Sequence, residues 1–593
     1  MSEIIIPENY SKEVNQEIAV NQIAYGVNDK KIAILKGDFE GICYLCDANT
    51  NKAVFETKLS LNKFDSTNLV YVKHFDFSEF KQTGKYYIAT EKGVSYPFEI
   101  SDKPYEEVTK AMIKALYFQR CGMALEEKYA GEYKHGECHN FPAFDVTDPT
   151  RVFEDVSGGW HDAGDYGKYI TPANQTVFNM MYAYELFNKG VDFDLNIPES
   201  ENEVPDILNE AKYELDWMLK MQDDNGGVHH KVSTSVFAGN VMPDDDKLEN
   251  DFNFNEKSEE YLKQHPEIDE EFLKTHQVMS QISLTATGGF AAAMAIAARV
   301  YKKFYPDFAN KCLEAAKRAF DFAYENKDGG KKWEFNNIYP VGTGVYGDSC
   351  WYDEIYWGAA ELFRTTGDKI YEQKFAELFK EKFSKTLFGA YHQGGHGSFA
   401  YCLCENADKQ LKAKVLNEII KGAENALTIY NRNAYLNCLH DGVNSNENDY
   451  YWGSNAGLTN KLGNMISAAY LTKTDKYDNA IRDSISYIFG RNYISQCYVT
   501  GFGTKSTKNP HHRPSMFDGV DEPVPGLVAG GPNDRKWERP RKQDGVKQTE
   551  GIDWENMPPA GCYIDWEWNW TTNEITIYWN SSCFYVTAYL NSK

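Results

Sequence analysis

Lys103-Pro104-Tyr105-Glu106-Glu107-Val108-Thr109-Lys110-Ala111-Met112-Ile113-Lys114-Ala115-Leu116-Tyr117-Phe118-Gln119-Arg120 is the stretch at which the chain changes period. Upstream of it, from about Ile18 to Ile100, short alternating or β-branched runs are broken by turns. They include Ile18-Ala19-Val20, Lys31-Ile32-Ala33-Ile34-Leu35, Leu69-Val70-Tyr71-Val72 and Lys85-Tyr86-Tyr87-Ile88-Ala89. Runs of this kind read as short strands, so the segment is expected to form a small all-β sandwich. From Tyr105 onward helical spacing takes over and holds for most of the remaining chain. The boundary is therefore placed near residue 103, giving expected domains of 1–103 and 104–593.

Between Pro205 and Met221 the apolar residues Leu208, Ala211, Leu215 and Met218 follow helical spacing, with Pro205 suited to the opening turn. Helices are also expected over Leu284 to Phe304, Phe308 to Glu325, Asp353 to Thr366, Lys369 to Phe383, Lys409 to Tyr430, Thr459 to Leu471 and Asp475 to Phe489. The long loops between them are rich in Gly, Asn, His and aromatic residues, which marks them as functional. No short repeat is visible, yet so many successive helices in one large domain suggest helical hairpins closed into a barrel.

A chain of 593 residues exceeds the usual limit of one hydrophobic core, so two domains are the default. Its net charge of −25 argues against nucleic-acid and anionic-membrane partners, which would be repelled over much of the surface. Neutral ligands remain. Aromatic residues make up 15% of the chain, a composition that suits a carbohydrate cleft. The opening Met1-Ser2-Glu3-Ile4-Ile5-Ile6-Pro7-Glu8-Asn9 lacks the basic start and long apolar run of a secretory leader, and no later apolar run reads as long enough to span a bilayer. The protein is thus expected to work inside the cell or to have lost its leader. Its 12 scattered cysteines fit reduced thiols and a metal better than a disulfide framework.

Three segments carry chemistry. Gly158-Gly159-Trp160-His161-Asp162-Ala163-Gly164-Asp165-Tyr166-Gly167-Lys168-Tyr169 sets two carboxylates three residues apart among glycines and aromatics. Such a pair can hold and deprotonate a water, beside rings on which sugars stack. Thr500-Gly501-Phe502-Gly503-Thr504-Lys505-Ser506-Thr507-Lys508-Asn509-Pro510-His511-His512-Arg513-Pro514 offers donors for ligand hydroxyls after a Gly-rich loop. Trp570-Thr571-Thr572-Asn573-Glu574-Ile575-Thr576-Ile577-Tyr578-Trp579-Asn580 embeds one carboxylate in apolar surroundings, where burial keeps it protonated as a general acid requires. Taken singly, each segment also reads as an ordinary turn or helix start.

In this order and at these distances, the three segments resemble the active-site blocks of glycoside hydrolase family nine, the family of inverting cellulases. Asp449-Tyr450-Tyr451-Trp452-Gly453-Ser454-Asn455, Tyr487-Ile488-Phe489-Gly490-Arg491-Asn492 and Pro523-Val524-Pro525-Gly526-Leu527 are similar to further family blocks, as is the spacing of Tyr563, Asp565 and Trp570 before Glu574. Cys497 departs from the pattern, which usually has Ser, Thr or Val there. The resemblance implies a mainly α protein, an (α/α)6 barrel preceded by an immunoglobulin-like sandwich. It further implies Asp165 as general base, Asp162 as holder of the attacking water and Glu574 as general acid, with His511 and Arg513 on the sugar. Asp565 belongs to the same pattern, either in catalysis or as a brace for its loop. Trp452 and Trp579 are candidate stacking platforms or core residues. The expected activity is hydrolysis of β-1,4-glucosidic bonds in cellulose-like or mixed-linkage glucans, endo-acting, with an exo-acting cellodextrinase or glucosidase on short cello-oligosaccharides as the alternative and no organic cofactor. A non-catalytic glucan-binding protein is disfavoured because all three carboxylates are retained.

Cys121, Cys138, His139 and His161 are the ligand types of tetrahedral zinc, although their spacing alone is loose. The resemblance implies a structural zinc at these positions, bracing the catalytic loop through His161. Ser349, Asp353 and Glu354 are similar to part of a family calcium site, with carbonyls and waters needed to complete the shell. Asp223-Asp224-Asn225-Gly226-Gly227 lacks the pattern of a calcium loop and reads as a turn.

Overall fold

A computed structural model of the chain describes residues 4–8, 10–440, 448–535 and 537–593. Its first part is a sandwich of ten strands: β1 (Ile18–Ala19), β2 (Ala24–Gly26), β3 (Ile32–Lys36), β4 (Ile42–Asp47), β5 (Ala53–Lys58), β6 (Lys63–Asp65), β7 (Val70–Asp76), β8 (Gly84–Thr90), β9 (Gly93–Val94) and β10 (Phe98–Ser101). One sheet has the order β1-β3-β7-β6, the other β2-β10-β8-β4-β5 with β9 on β8. Strand β3 shows why its run is apolar throughout. Ala33 and Leu35 pack into the sandwich core, whereas Ile32 and Ile34 join the core of the helical domain. Side chains alternate faces along a strand, so a strand between two cores has no polar face.

The sandwich is bonded to the segment that leads to the His511 block. Gln22 donates from its backbone to the Phe489 carbonyl at 2.8 Å and from Nε2 to the Ser495 carbonyl at 2.7 Å, and its Oε1 accepts from the Lys505 backbone at 2.8 Å. Beside them the fully buried Arg491 pairs with Asp483 at 2.6 Å, and Lys30 of the sandwich reaches the same carboxylate at 3.2 Å.

Twelve helices of the second part form a double ring. They are α1 (Glu106–Tyr117), α2 (Ile170–Phe187), α3 (Asp206–Lys220), α4 (Leu284–Val300), α5 (Pro306–Asn326), α6 (Tyr352–Thr366), α7 (Lys369–Leu378), α8 (Gly394–Leu403), α9 (Lys409–Arg432), α10 (Ser454–Thr472), α11 (Asp478–Ile488) and α12 (Ile577–Asn591). The even-numbered helices pack in sequence from α2 through α12 and back to α2, closing the inner ring, while the odd-numbered helices lie outside them. The architecture is an (α/α)6 barrel.

Three inner helices, α2, α8 and α12, lie outside the helical stretches expected from spacing. In α2, 15 of 18 residues are buried, and in α12, 14 of 15. A helix enclosed on all sides has no polar face to generate the periodic signal. Helix α7 is also shorter than expected, ending at Leu378 rather than Phe383. The expectation about apolar runs needs a correction too. Leu284–Lys303 is long and apolar enough to cross a bilayer, but its apolar window is 94% buried inside the protein, because α4 is an inner barrel helix.

A third sheet had no counterpart in the sequence reading. It comprises β11 (Ala143–Asp145), β12 (Asp148–Phe153), β13 (Lys168–Tyr169), β14 (Lys231–Ser233) and β15 (Gln277–Met279), in the order β12-β11-β15-β14-β13. Strands of two to six residues are too short for an alternating pattern to show. Strand β13 follows the Asp162–Asp165 loop and runs straight into α2, so this sheet fixes the loop against the barrel mouth.

Replacing Arg491 with Leu is expected to destabilise the protein by about 3 kcal/mol, because Asp483 keeps its burial and loses its principal partner. A urea melt reads this directly, and an unchanged midpoint would show that the buried pair adds nothing to stability.

Candidate active site

The loop from Gly158 to Tyr169 is folded on itself and tied to two distant segments. The Asp162 backbone N–H donates to the Gly167 carbonyl at 2.9 Å, and the Asp162 carbonyl accepts from the first residue of α12, Ile577, at 2.8 Å. Asp165 Oδ2 accepts from the Gly167 N–H at 3.1 Å. Gly164 is required by packing, since a Cβ there would lie 2.1 Å from the His511 carbonyl oxygen. The two carboxylates of the loop are both buried. Asp162 Oδ2 accepts from the Tyr346 hydroxyl at 2.6 Å, and its Oδ1 has no protein partner. Burial pushes the Asp162 carboxyl well above its ordinary range, with the Tyr346 hydrogen bond opposing and the Asp165 charge adding to the rise.

Glu574 arrives from the far end of the chain, between the short helix Trp570–Asn573 and α12. It runs beside His511 as a short parallel pair: His511 N–H donates to the Asn573 carbonyl at 2.8 Å, and the Glu574 carbonyl accepts from Gly530 at 2.9 Å. Its Oε2 accepts from the Trp452 indole N–H at 3.0 Å. Burial raises the Glu574 carboxyl well above the ordinary glutamate value, and the negative charges of Asp165 and Asp162 raise it further. The Trp452 bond and the Arg513 charge oppose this shift. The result is a carboxylic acid that keeps its proton where an exposed glutamate has lost it.

The remaining expected residues occupy distinct places. His511 Nδ1 lies 2.6 Å from the Glu567 carbonyl, which can only accept, so the hydrogen sits on Nδ1 and leaves Nε2 as an acceptor. Arg513 is turned toward backbone, donating to the carbonyls of Gly164 at 2.7 Å, Ala238 at 3.0 Å and Gly239 at 3.1 Å. It therefore braces the catalytic loop whatever else it does. Asp565 accepts from the backbones of Lys508 at 2.8 Å and Asn509 at 2.9 Å and from Asn573 Nδ2 at 3.1 Å. These bonds match the bracing alternative, joining the His511 strand to the residue before Glu574.

Of the two expected platforms, Trp452 is the exposed one, at 39%, with the Trp570 ring 4.6 Å away. Trp579 is only 4% exposed and lies against Gly453 and Gly530, yet it borders the same cavity as Trp452. A cavity of about 450 Å³ beside Glu574 is lined by Tyr391, His392, Trp452 and Tyr578 among others. Tyr346, Tyr391 and Tyr578 were missed in the sequence. Tyr346 sits in a Gly-rich aromatic loop, Val341-Gly342-Thr343-Gly344-Val345-Tyr346-Gly347, whose composition is the same signal that singled out the Asp162 loop.

Against this geometry, residues 105–587 match the model of glycosyl hydrolase family 9, and residues 13–95 match the cellulase N-terminal ig-like domain. The chain belongs to glycosyl hydrolase family 9. It is a glycoside hydrolase of a family that acts on β-1,4-glucans. A cellodextrinase of Butyrivibrio fibrisolvens is 31% identical over 95% of this chain and 98% of its own length. Endoglucanase D of Acetivibrio thermocellus is 32% identical over 98% of this chain and 84% of its own length. The solved structure of AaCel9A in complex with cellobiose-like isofagomine superposes with a TM-score of 0.83 at 29% identity, covering 97% of this chain and 100% of that one.

Behind the catalytic loop the family 9 hydrolase holds a candidate metal centre. The ligand atoms of Cys121, Cys138, His139 and His161 all lie within 4.8 Å of one another, and all four residues are buried. Backbone bonds set them there: Cys121 N–H donates to Gly159 at 2.8 Å, and His161 N–H to Gln119 at 2.7 Å. A hydrogen bond from Cys138 and the charge of Lys168 hold the Cys121 thiol well below its ordinary value, against the effect of burial. His139 Nε2 lies 3.0 Å from Asp246 Oδ2, a carboxylate outside the cluster that sequence reading did not find.

Ser349 precedes α6, and Asp353 and Glu354 lie in its first turn. Ser349 is exposed while the two acids are buried. Asp353 Oδ2 accepts from Gln393 N–H at 2.8 Å, and its Oδ1 and both Glu354 oxygens have no protein partner. The Asp223-to-Gly227 stretch is a turn, closed by the Asp223 N–H to Gly227 carbonyl bond of 2.8 Å.

Replacing Trp452 with Phe deletes a donor to the ionised form of Glu574 and is expected to raise its pKa further. Carbon-13 NMR of labelled glutamate should then find the Glu574 carboxyl ionising at higher pH than in the wild type. A shift to lower pH would mean that the indole is not stabilising the carboxylate.

Proposed function

We propose that this family 9 hydrolase is an endo-acting β-1,4-glucanase that cleaves cellulose-like or mixed-linkage glucans with inversion. The observation that carries the reading is the Glu574 carboxyl, kept protonated by burial and by the charges of Asp165 and Asp162 on the opposing loop. Hydrolysis with inversion needs one carboxylic acid to protonate the leaving oxygen and one carboxylate to activate water on the other face of the sugar. In the proposed mechanism Glu574 supplies the proton. Asp165 takes a proton from water as that water attacks the anomeric carbon, and Asp162, steadied by Tyr346, holds the same water. Trp452 both donates to Glu574 and offers its face to a sugar ring, while His511 Nε2 accepts from a substrate hydroxyl.

Endo action is favoured by a run of aromatic rings along the cleft: Trp452 and Tyr391 line the cavity, the exposed Trp570 packs against Trp452, and Trp568 is exposed close by in the chain. The near full-length likeness to a cellodextrinase supports the second reading, exo action on short oligosaccharides.

Cys121, Cys138, His139 and His161 are proposed to hold a structural zinc, whose four sites would all be filled by protein. Two thiols and two imidazoles that converge in a buried cluster fit that ion. Zinc would supply folding energy and brace the catalytic loop through His161, and no chemical step passes through it. Calcium at Asp353 and Glu354 is proposed on the hard, unpartnered oxygens buried there, with further oxygens completing the shell.

Cellohexaose followed by NMR tests the central reading. Mixed mid-length products with the α-anomer formed first are expected, and Glu574→Gln should lower kcat about 100- to 10,000-fold. Glucose or cellobiose alone would favour the exo reading, and full activity of Glu574→Gln would remove Glu574 as the acid. For the metal, Asp246→Ala is expected to weaken zinc retention about 10- to 100-fold in competition with a chromogenic chelator. Equal retention would show that the Asp246 contact plays no part in holding the ion.

A further inference from the structure

Strand β14 pairs antiparallel with β13, the strand that continues from the catalytic loop, so that Lys231 stands opposite Tyr169. Lys231 is fully buried. Its Nζ donates to Thr343 Oγ1 at 2.9 Å and to the Gly344 carbonyl at 2.5 Å. The neighbouring His230 presents Nε2 to the Val345 carbonyl at 3.0 Å and Nδ1 to Ser283 Oγ at 2.8 Å, with its ring stacked 3.7 Å from Phe335. Two adjacent side chains, Lys231 at the start of β14 and His230 just before it, thus hold three consecutive residues, 343 to 345. The next residue is Tyr346, in a left-handed conformation with φ of 49°, whose hydroxyl donates to Asp162 at 2.6 Å. Its ring packs against Tyr169 with centroids 4.9 Å apart.

We propose that Lys231 is a positioning residue for hydrolysis, clamping the 343–345 segment so that Tyr346 stays bonded to Asp162. The inference rests on the reading of Asp162 as a holder of the attacking water. An ammonium group suits the task because it has three rotatable donors and the acceptors diverge. Among the described residues its hydrogen-bond partners are neutral oxygens, so the ion is kept in the interior without a bonded counter-charge. Burial lowers its pKa to about 7, and the nearby charge of Asp165 favours the ammonium form. His230, lowered to about 3 by burial, is neutral and contributes only its ring hydrogen. Loop 343–346 and strand β13 are both referenced to β14, which makes this strand the common frame for Tyr346 and the two aspartates.

The test is a double-mutant cycle on a soluble β-glucan with kcat and KM measured separately. Lys231→Met and Tyr346→Phe are each expected to lower kcat about 10- to 100-fold with KM little changed. The double variant should be no slower than the worse single, because Lys231 acts through Tyr346. An unchanged kcat in Lys231→Met, or losses that multiply in the double variant, would overturn the proposal. If Lys231→Met loses its near-ultraviolet circular dichroism, Thr343→Val takes its place in the cycle, removing one acceptor at constant volume. Asp162→Asn separates this inference from the reading beneath it. Full activity there overturns the role of Asp162, whereas loss there with unaffected Lys231 and Thr343 variants overturns the clamp alone.

Discussion

Three carboxyl groups from opposite ends of the chain are drawn into one cleft, and their mutual repulsion is the constraint around which the site is built. Each negative charge makes the next harder to ionise, and burial strengthens that effect by removing water. The groups are not equivalent. Asp162 is steadied by the Tyr346 hydroxyl, Asp165 by a backbone N–H of its own loop, and Glu574 by one indole donor against two opposing charges. This asymmetry is what lets carboxyl groups of one chemistry take the different roles proposed for them.

Holding such a group together needs rigid backing, and backbone hydrogen bonds supply much of it. The loop reaches α12 through the Asp162 carbonyl, the His511 strand lies beside Glu574, and Arg513 ties loop and strand through carbonyls. The cluster of Cys121, Cys138, His139 and His161 includes a residue of the loop itself, and Asp246 beyond it comes from the same stretch that supplies the Ala238 and Gly239 carbonyls to Arg513. The sandwich adds to this frame from outside by bonding Gln22 to the chain between Phe489 and Lys505. Its role is legible in β3, where one strand face serves each domain.

Much of this was visible in the chain itself. The change of period after Lys103 separates strands from helices, amphipathic helices such as α3 and α9 declare themselves by spacing, and the glycine-rich acidic loop announces chemistry. Helices α2, α8 and α12 stayed hidden for the same reason that they matter: enclosed in the inner ring, they carry no polar face. Tyr346 and Asp246 stayed hidden because each acts on a partner more than 100 positions away, as |i−j| values of 184 and 107 show. Trp452 and Trp579 look alike as sequence and border the same cavity, but one is exposed and the other buried.

The sequence by itself determined the two domain types and singled out the candidate carboxyls and the cluster of two thiols and two imidazoles, because these depend on local period, on the chemistry of single side chains and on the order of the motifs. Only the tertiary structure decided which groups share a hydrogen bond or a charge. Acidity, ring exposure and the bracing roles of Arg513, Asp565 and Lys231 arise from neighbours brought together across hundreds of residues, and a linear pattern does not encode those distances.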